Sequence, residues 1–188
     1  EHFPLSVWQT GSGTQTNMNV NEVIANLANI KISKKLGTNY PVHPNDHVNK
    51  SQSTNDSFPS AINIASKLKI IIELLPALRS MEKVLKSQSQ KWKSIIKIGR
   101  THLQDATPLS LGQEFSGYQA QINSNIRRVE GALTNLSYLA QGGTAVGTGL
   151  NTKRGFDQIV VSEINKITKA KFKPTGNKFQ ALASHDSI

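Results

Sequence analysis

Between residues 64 and 85 the apolar side chains fall at a spacing that a helix alone brings onto one side. Ile64, Leu68, Ile71, Leu75, Leu78 and Leu85 follow one another at steps of three, four or seven, so in a helix they form a single stripe. Pro76 lies inside this run. It lacks an amide hydrogen and is expected to kink the helix without ending it, because the stripe resumes directly afterwards. Phe115, Tyr118, Ile122, Val129, Leu133, Leu136 and Ala140 repeat the same steps with no proline. A helix of roughly 30 residues is about 45 Å long, and such a length in a short chain predicts an elongated bundle shared between subunits. A shorter helix is expected from Gly155 or Phe156 to about Thr168, with Ile159, Val160, Ile164 and Ile167 inward. Another is expected from Met18 to Leu36, with Val23, Leu27, Ile30 and Ile32 as its apolar members. No stretch alternates in the manner of a strand over a useful length, so the expected fold class is all-α.

Composition narrows the function. Hydrophobic residues are 37% of the 188 and aromatics only 6%, which suits helices packed through aliphatic side chains. There is no cysteine, so neither a disulfide framework nor a thiolate metal site is available. No apolar run reaches the roughly 20 residues of a membrane-spanning helix. The chain therefore reads as a soluble intracellular protein of the cytoplasm, or of the mitochondrial matrix in a eukaryote. The formal net charge of +10 admits two kinds of partner, nucleic acid or small anions. The lysines lie mostly singly along helical stretches (Lys83, Lys86, Lys91, Lys93), and neither an RNA-binding aromatic signature nor zinc-finger spacing accompanies them. Charge alone does not make a nucleic-acid module, so none is expected.

The polar segments between the helices are rich in neutral hydrogen-bonding groups. In Thr10-Gly11-Ser12-Gly13-Thr14-Gln15-Thr16-Asn17, hydroxyls and amides alternate with glycines just before a helix. Such a start can cap the helix or receive an anion. No Gly-Lys-Ser/Thr closes it, so it is not a nucleotide-binding loop of the Walker type. His43 and His47 have an i, i+4 spacing, but Pro44 disfavours a helical His43 and no HExxH pattern follows, so no metal is expected. Ser53-Thr54-Asn55 is a cluster of donors before the first long helix, with Thr54, Asn55 or Asp56 as candidate cap residue. In Gly99-Arg100-Thr101-His102-Leu103-Gln104-Asp105, a histidine among Thr, Gln and Asp is either a proton-transfer residue or a hydrogen-bonded turn histidine. Gly142-Gly143-Thr144-Ala145-Val146-Gly147-Thr148-Gly149 has no lysine and follows a helix, which favours a hinge or close packing over a phosphate cradle.

The order and separation of these blocks resemble the class II fumarases of the fumarase/aspartase superfamily, over essentially all 188 residues. Ser12-Gly13-Thr14, His43 before Pro44-Asn45-Asp46, and His102 after Thr101 are closer to the fumarase pattern than to that of aspartate ammonia-lyase, which stands as the alternative within the superfamily. Thr54 departs from the serine of many fumarases but keeps the hydroxyl. The resemblance implies hydration of fumarate to L-malate without a cofactor, in a homotetramer whose active sites are assembled from several subunits. On that pattern Ser12, Gly13, Thr14, Ser53, Thr54, Asn55 and Thr101 bind the substrate carboxylates, and His102 moves a proton or positions water. His43, Pro44, Asn45 and Asp46 form a second anion site. Residues 1–52 would be the end of an N-terminal domain and residues 53–188 the first part of a central helical-bundle domain. The family's third signature, a Gly-Ser-Ser loop with Lys and Asn beyond it, is not reached by Ile188. A truncated chain of this kind is expected to be inactive alone and prone to associate.

Overall fold

The computed structural model describes residues 2–6, 13–186 and 188. As expected, the fold is helical in class. Two compact units divide it: Ser66–Asn135 forms one, and Glu1–Ala65 with Leu136–Ile188 forms the other.

The chain opens with helix α1 (Thr14–Ser33) and a short π turn at Pro44–Val48. Helix α2 (Thr54–Lys69), a π-helical stretch (Ile70–Leu74) and α3 (Leu75–Lys91) then follow without a break. The amide of Leu75 donates to the carbonyl of Ile70, one residue further back than in an α-helix. Pro76 stands just after this widened turn, at the start of α3, so its missing amide hydrogen falls beside the π turn and the helix continues past it. The continuous apolar stripe thus survives its proline through a π turn.

In the contiguous unit, α3 packs on α4 (Leu111–Asn135). Arg79 bonds Glu130 at 2.6 Å, Glu82 accepts from Gln119 and Asn123 at 2.8 and 3.0 Å, and Ser89 donates to the carbonyl of Gly112 at 2.9 Å. Rising numbers in α3 meet falling numbers in α4, so the pair is antiparallel. Leu75 and Ile126 are its buried aliphatic side chains, and Trp92 meets Phe115 edge to face at 4.7 Å. Helix α4 starts in a reciprocal cap: the amide of Gln113 donates to Ser110 Oγ at 3.0 Å and the amide of Ser110 to Gln113 Oε1 at 2.8 Å.

Between α3 and α4 runs an antiparallel hairpin of β1 (Ile96–Thr101) and β2 (Gln104–Ser110), where the sequence pattern predicts no strand. Its outward residues explain the weak signal. Ile96 is 70% exposed and Pro108 interrupts the alternation, so neither face is written in apolar code.

The periodic run predicted to continue through Leu136 and Ala140 ends at Asn135. Leu136 and Ala140 are nevertheless buried, at 1% and 3% exposure, around strand β3 (Tyr138–Leu139) in the other unit. There Leu139 forms a small core with Val161 of α5 (Phe156–Thr168) and Phe172, on which Ile64, Val160, Ile164 and Ala170 pack. Strand β3 pairs in parallel with β4 (Lys173–Pro174), and α6 (Lys178–Ala183) follows. The inward side of α5 is rotated from the expected one. Val161 is in the core, whereas Ile159 and Ile167 are 65% and 80% exposed.

Helix α1 also differs from expectation. Its buried residues are Asn21, Ala25 and Asn29, while Leu27, Ile30 and Ile32 are exposed. Asn29 pays for its burial with two bonds, donating to the carbonyl of Val42 and accepting from the amide of Val42, both at 2.8 Å.

Candidate active site

The start of α2 is organised by a capping box. Ser53, not Thr54, Asn55 or Asp56, is the cap: its Oγ accepts from the amide of Asn55 at 3.2 Å. Asp56, three residues on, reaches back and accepts from the amide of Ser53 at 2.9 Å. The Ser-x-x-Asp spacing carries this information, with aspartate in place of the usual glutamate or glutamine. The second oxygen of Asp56 accepts from the amides of Gly142 and Thr144 at 3.0 and 2.8 Å. Asp56 has 0% exposure. Burial pushes its carboxyl above the usual aspartate range, and the three amides of Ser53, Thr144 and Gly142 oppose that shift. One buried carboxylate therefore ties the Ser53-Thr54-Asn55 segment to the glycine-rich turn. Asn55 adds a second tie, donating through Nδ2 to the carbonyl of Ala145 at 2.7 Å.

The glycines of that turn allow close approach. Gly142 has φ +91°, and a Cβ there would lie 2.8 Å from Cβ of Asp157. At the start of α1, Gly13 has φ +73°, and a Cβ would lie 2.4 Å from the Phe58 ring. Gly13 is buried and Thr14, the first residue of α1, is exposed; Ser12 lies outside the described residues.

A row of amides links α1 to α2. Asn17 Nδ2 donates to Thr54 Oγ1 at 3.0 Å, and Asn21 Nδ2 donates to Asn49 Oδ1, also at 3.0 Å. The Thr54 oxygen thus has a donor, and its own hydrogen has no acceptor among the described residues. Asn17, Asn21 and Asn49 carry no signal in the sequence that separates them from ordinary helix and turn residues.

Ser53 and Thr54 line a cleft of about 700 Å³, together with Asn45, Asn49, Lys50 and Thr144 among others. Lys50 is the one charged side chain among the described lining residues. The cleft thus offers hydroxyls, amides and a single cation, a set that suits a small carboxylate anion. Gly13, Thr14 and Asn55 border the segments that form it without lining it.

Of the second predicted group, Asn45 lines the same cleft. His43 is occupied locally: its Nδ1 accepts from the amides of Asn45 and Asp46 at 3.2 and 3.1 Å, capping the turn that begins at Pro44. Its ring hydrogen therefore lies on Nε2, and the 3.6 Å approach of Asp46 to Nδ1 is a contact, not an ion pair. His47 Nδ1 accepts from the amide of His43 at 2.8 Å, so the i, i+4 histidines bond to backbone.

Thr101 and His102 belong to the other unit, at the tip of the β1–β2 hairpin. Thr101 pairs with Gln104, leaving His102 and Leu103 as a two-residue loop with φ of +50° and +63°. Positive φ at both positions is the signature of the tight hairpin turn that matches strand twist. His102 is exposed and Leu103 is 94% exposed.

Comparison with known proteins adds to this geometry. A family model described as lyase matches residues 1–188. The chain is 59% identical over 188 residues to the mitochondrial fumarate hydratase of Schizosaccharomyces pombe, covering all of this chain and 36% of that protein. It is 57% identical over the same length to the class II fumarate hydratase of Rickettsia bellii, covering 41% of that protein. Among solved structures, the class II fumarase of Schistosoma mansoni superposes with a TM-score of 0.91 at 45% identity, over 99% of this chain and 42% of that one. The chain thus spans about two fifths of the length of the relatives it matches.

Proposed function

Because the chain belongs to the lyase family along its whole length, we propose that the protein carrying it is a class II fumarate hydratase, interconverting fumarate and L-malate. One observation carries this reading: a chain 57–59% identical throughout to fumarate hydratases builds a cleft lined by neutral donors and one lysine.

The chemistry demands such a lining. Dehydration of malate removes a proton from the carbon beside a carboxylate, and the electron pair spreads into that carboxylate, so the aci form carries one negative charge more than the bound dianion. Expulsion of the hydroxyl as water then gives fumarate. Donors fixed in advance stabilise the aci form more than the bound ground state, which lowers the barrier. Ser53, Thr54 and Asn55, with Ser12, Gly13 and Thr14, are the donors assigned to the carboxylates. Thr54 suits the task because Asn17 already fills its acceptor side. Lys50 draws the dianion into the cleft, aided by the net charge of +10. Thr101 adds a donor, and His102 transfers a proton or positions water, reaching the reacting atoms from another copy of the chain in a homotetramer. His43, Pro44, Asn45 and Asp46 serve as an outer anion site in which the His43 Nε2–H is the available donor. The compartment that goes with this reading is the cytoplasm, or the mitochondrial matrix in a eukaryote, and the similarity to the mitochondrial fumarate hydratase of Schizosaccharomyces pombe supports the latter.

The test is spectrophotometric. Full-length protein containing residues 1–188 is given L-malate, and fumarate is followed by its ultraviolet absorbance, with L-aspartate in a parallel cuvette. Absorbance from malate alone is the expected result. Absorbance from aspartate alone would move the assignment to an ammonia-lyase.

A further inference from the structure

The glycine-rich turn at residues 142–149 packs on Asp56, and one of its residues, Thr144, opens into the cleft. Thr144 is 6% exposed and lines the cleft with Ser53 and Thr54. Its φ is +57°, a left-handed conformation that a β-branched side chain adopts at a steric cost. Asp56 supplies the restraint: the amide of Thr144 donates to its carboxylate at 2.8 Å, and the other oxygen of the same carboxylate holds the amide of Ser53 at 2.9 Å. The Thr144 hydroxyl makes no hydrogen bond among the described residues.

Packing alone does not account for this arrangement. A glycine at position 144 would relieve the steric cost, and the five other glycines of residues 142–149 and 155 show that the segment accommodates them. What threonine adds is a hydroxyl in the cleft lining. A buried carboxylate that grips two segments at once sets the spacing between the Ser53-Thr54 donors and that hydroxyl, the preorganisation a small dianion requires.

We propose that Thr144 is a further carboxylate-binding residue, donating its hydroxyl to the substrate from the turn opposite Ser53 and Thr54, with Asp56 as the residue that positions it. The proposal rests on the fumarate hydratase reading and names the second wall of that same site. The substrate contact is a neutral donor to a charged acceptor, the stronger class of hydrogen bond.

The experiment compares wild type, Thr144→Val and Thr144→Ser in the full-length protein. Rates are measured with L-malate and binding is measured with succinate, an unreactive dicarboxylate, by calorimetry. Thr144→Val keeps the branched shape and loses the donor, so KM for malate and Kd for succinate are expected to rise together by about 10-fold or more. Thr144→Ser keeps the donor and should return both to within about 3-fold of wild type. Asp56→Asn turns an amide N–H toward backbone N–H groups, so it should raise KM in the same way and be insensitive to a further Thr144→Val change. If Thr144→Val leaves KM and succinate binding at the wild-type values while the enzyme remains active on malate, the proposal falls and the functional reading stands. If wild type neither converts malate nor binds succinate, the functional reading fails and takes the proposal with it.

Discussion

The two compact units use their interiors differently. In Ser66–Asn135 the packing of α3 on α4 is the familiar kind, with Leu75 and Ile126 buried, an aromatic edge contact, and polar pairs such as Arg79–Glu130 and Glu82–Gln119 across the helices. The unit built from both ends of the chain buries Asn21, Asn29, Asp56, Ser60, Gln141 and Thr144 beside Leu136, Leu139, Val161 and Phe172, whereas the buried polar residues of Ser66–Asn135 are Lys67 and Ser110 among those described. Each of those buried groups needs partners with good geometry, and partners of that quality fix distances more tightly than aliphatic contact does. The unit that carries the cleft is therefore the one whose buried Asn21, Asn29 and Asp56 reach partners distant in the chain, whereas buried Ser110 bonds Gln113 three residues away. Aliphatic packing holds elements together, whereas satisfied buried polar groups decide where donors stand.

That contrast is broken most severely at Asp56. Asp56→Ala leaves three amides without an acceptor, the buried ones of Gly142 and Thr144 and the part-buried one of Ser53. The expected loss is about 4 kcal/mol, with activity on malate abolished. Hydrogen exchange reads where the loss falls: the amides of Gly142 and Thr144 should exchange faster while those of α3 and α4 keep their protection. Equal loss of protection in both units would erase the distinction between them.

The converse disturbance is Gly112→Ala. A Cβ at Gly112 would lie 2.4 Å from the carbonyl oxygen of Ser89 and 2.7 Å from Cα of Lys93, and backbone cannot yield as a side-chain tip does. Overpacking there is expected to cost about 1–3 kcal/mol, read as a lower denaturant midpoint. Exchange should quicken in α3 and α4 and stay slow at Gly142.

The smallest effect concerns a pair in the cleft-bearing unit. Lys178 Nζ bonds Asp157 Oδ2 at 2.9 Å and holds the Asp157 carboxyl below its ordinary value, against a smaller opposing effect of burial. A depressed carboxyl contributes stability that is complete above about pH 4 and is lost as pH falls through the depressed value. The contribution is expected to be about 1 kcal/mol or less. Asp157→Asn should lower stability at pH 7 by that amount and flatten the acid limb of the pH–stability curve.

Much of the helical framework was legible in the residues. The stripe from Ile64 to Leu85 and the run from Phe115 to Leu133 do lie on helices, because a period near 3.6 places those side chains together whatever they later touch. The Ser110-x-x-Gln113 and Ser53-x-x-Asp56 boxes are local as well, each joining residues three apart. Ser53 and Thr54, which line the cleft, stand in a segment that residue type alone singles out. What periodicity does not carry is which side of a helix faces a partner, and α1 shows why. Its inward Asn21 and Asn29 are chosen by Asn49 and Val42, distant in the chain, so apolar Leu27 and Ile30 are left outward.

The sequence by itself determined most of the helices and the families of donors along the loops, since each depends on neighbours within one or two turns. The cap of α2 proved to be Ser53 and not the expected Thr54, Asn55 or Asp56. Tertiary structure alone decided that Asp56 meets Gly142 and Thr144, nearly ninety positions away. The physical reason is that a buried carboxylate takes whatever amides the fold brings to it, and no local pattern says which ones those are.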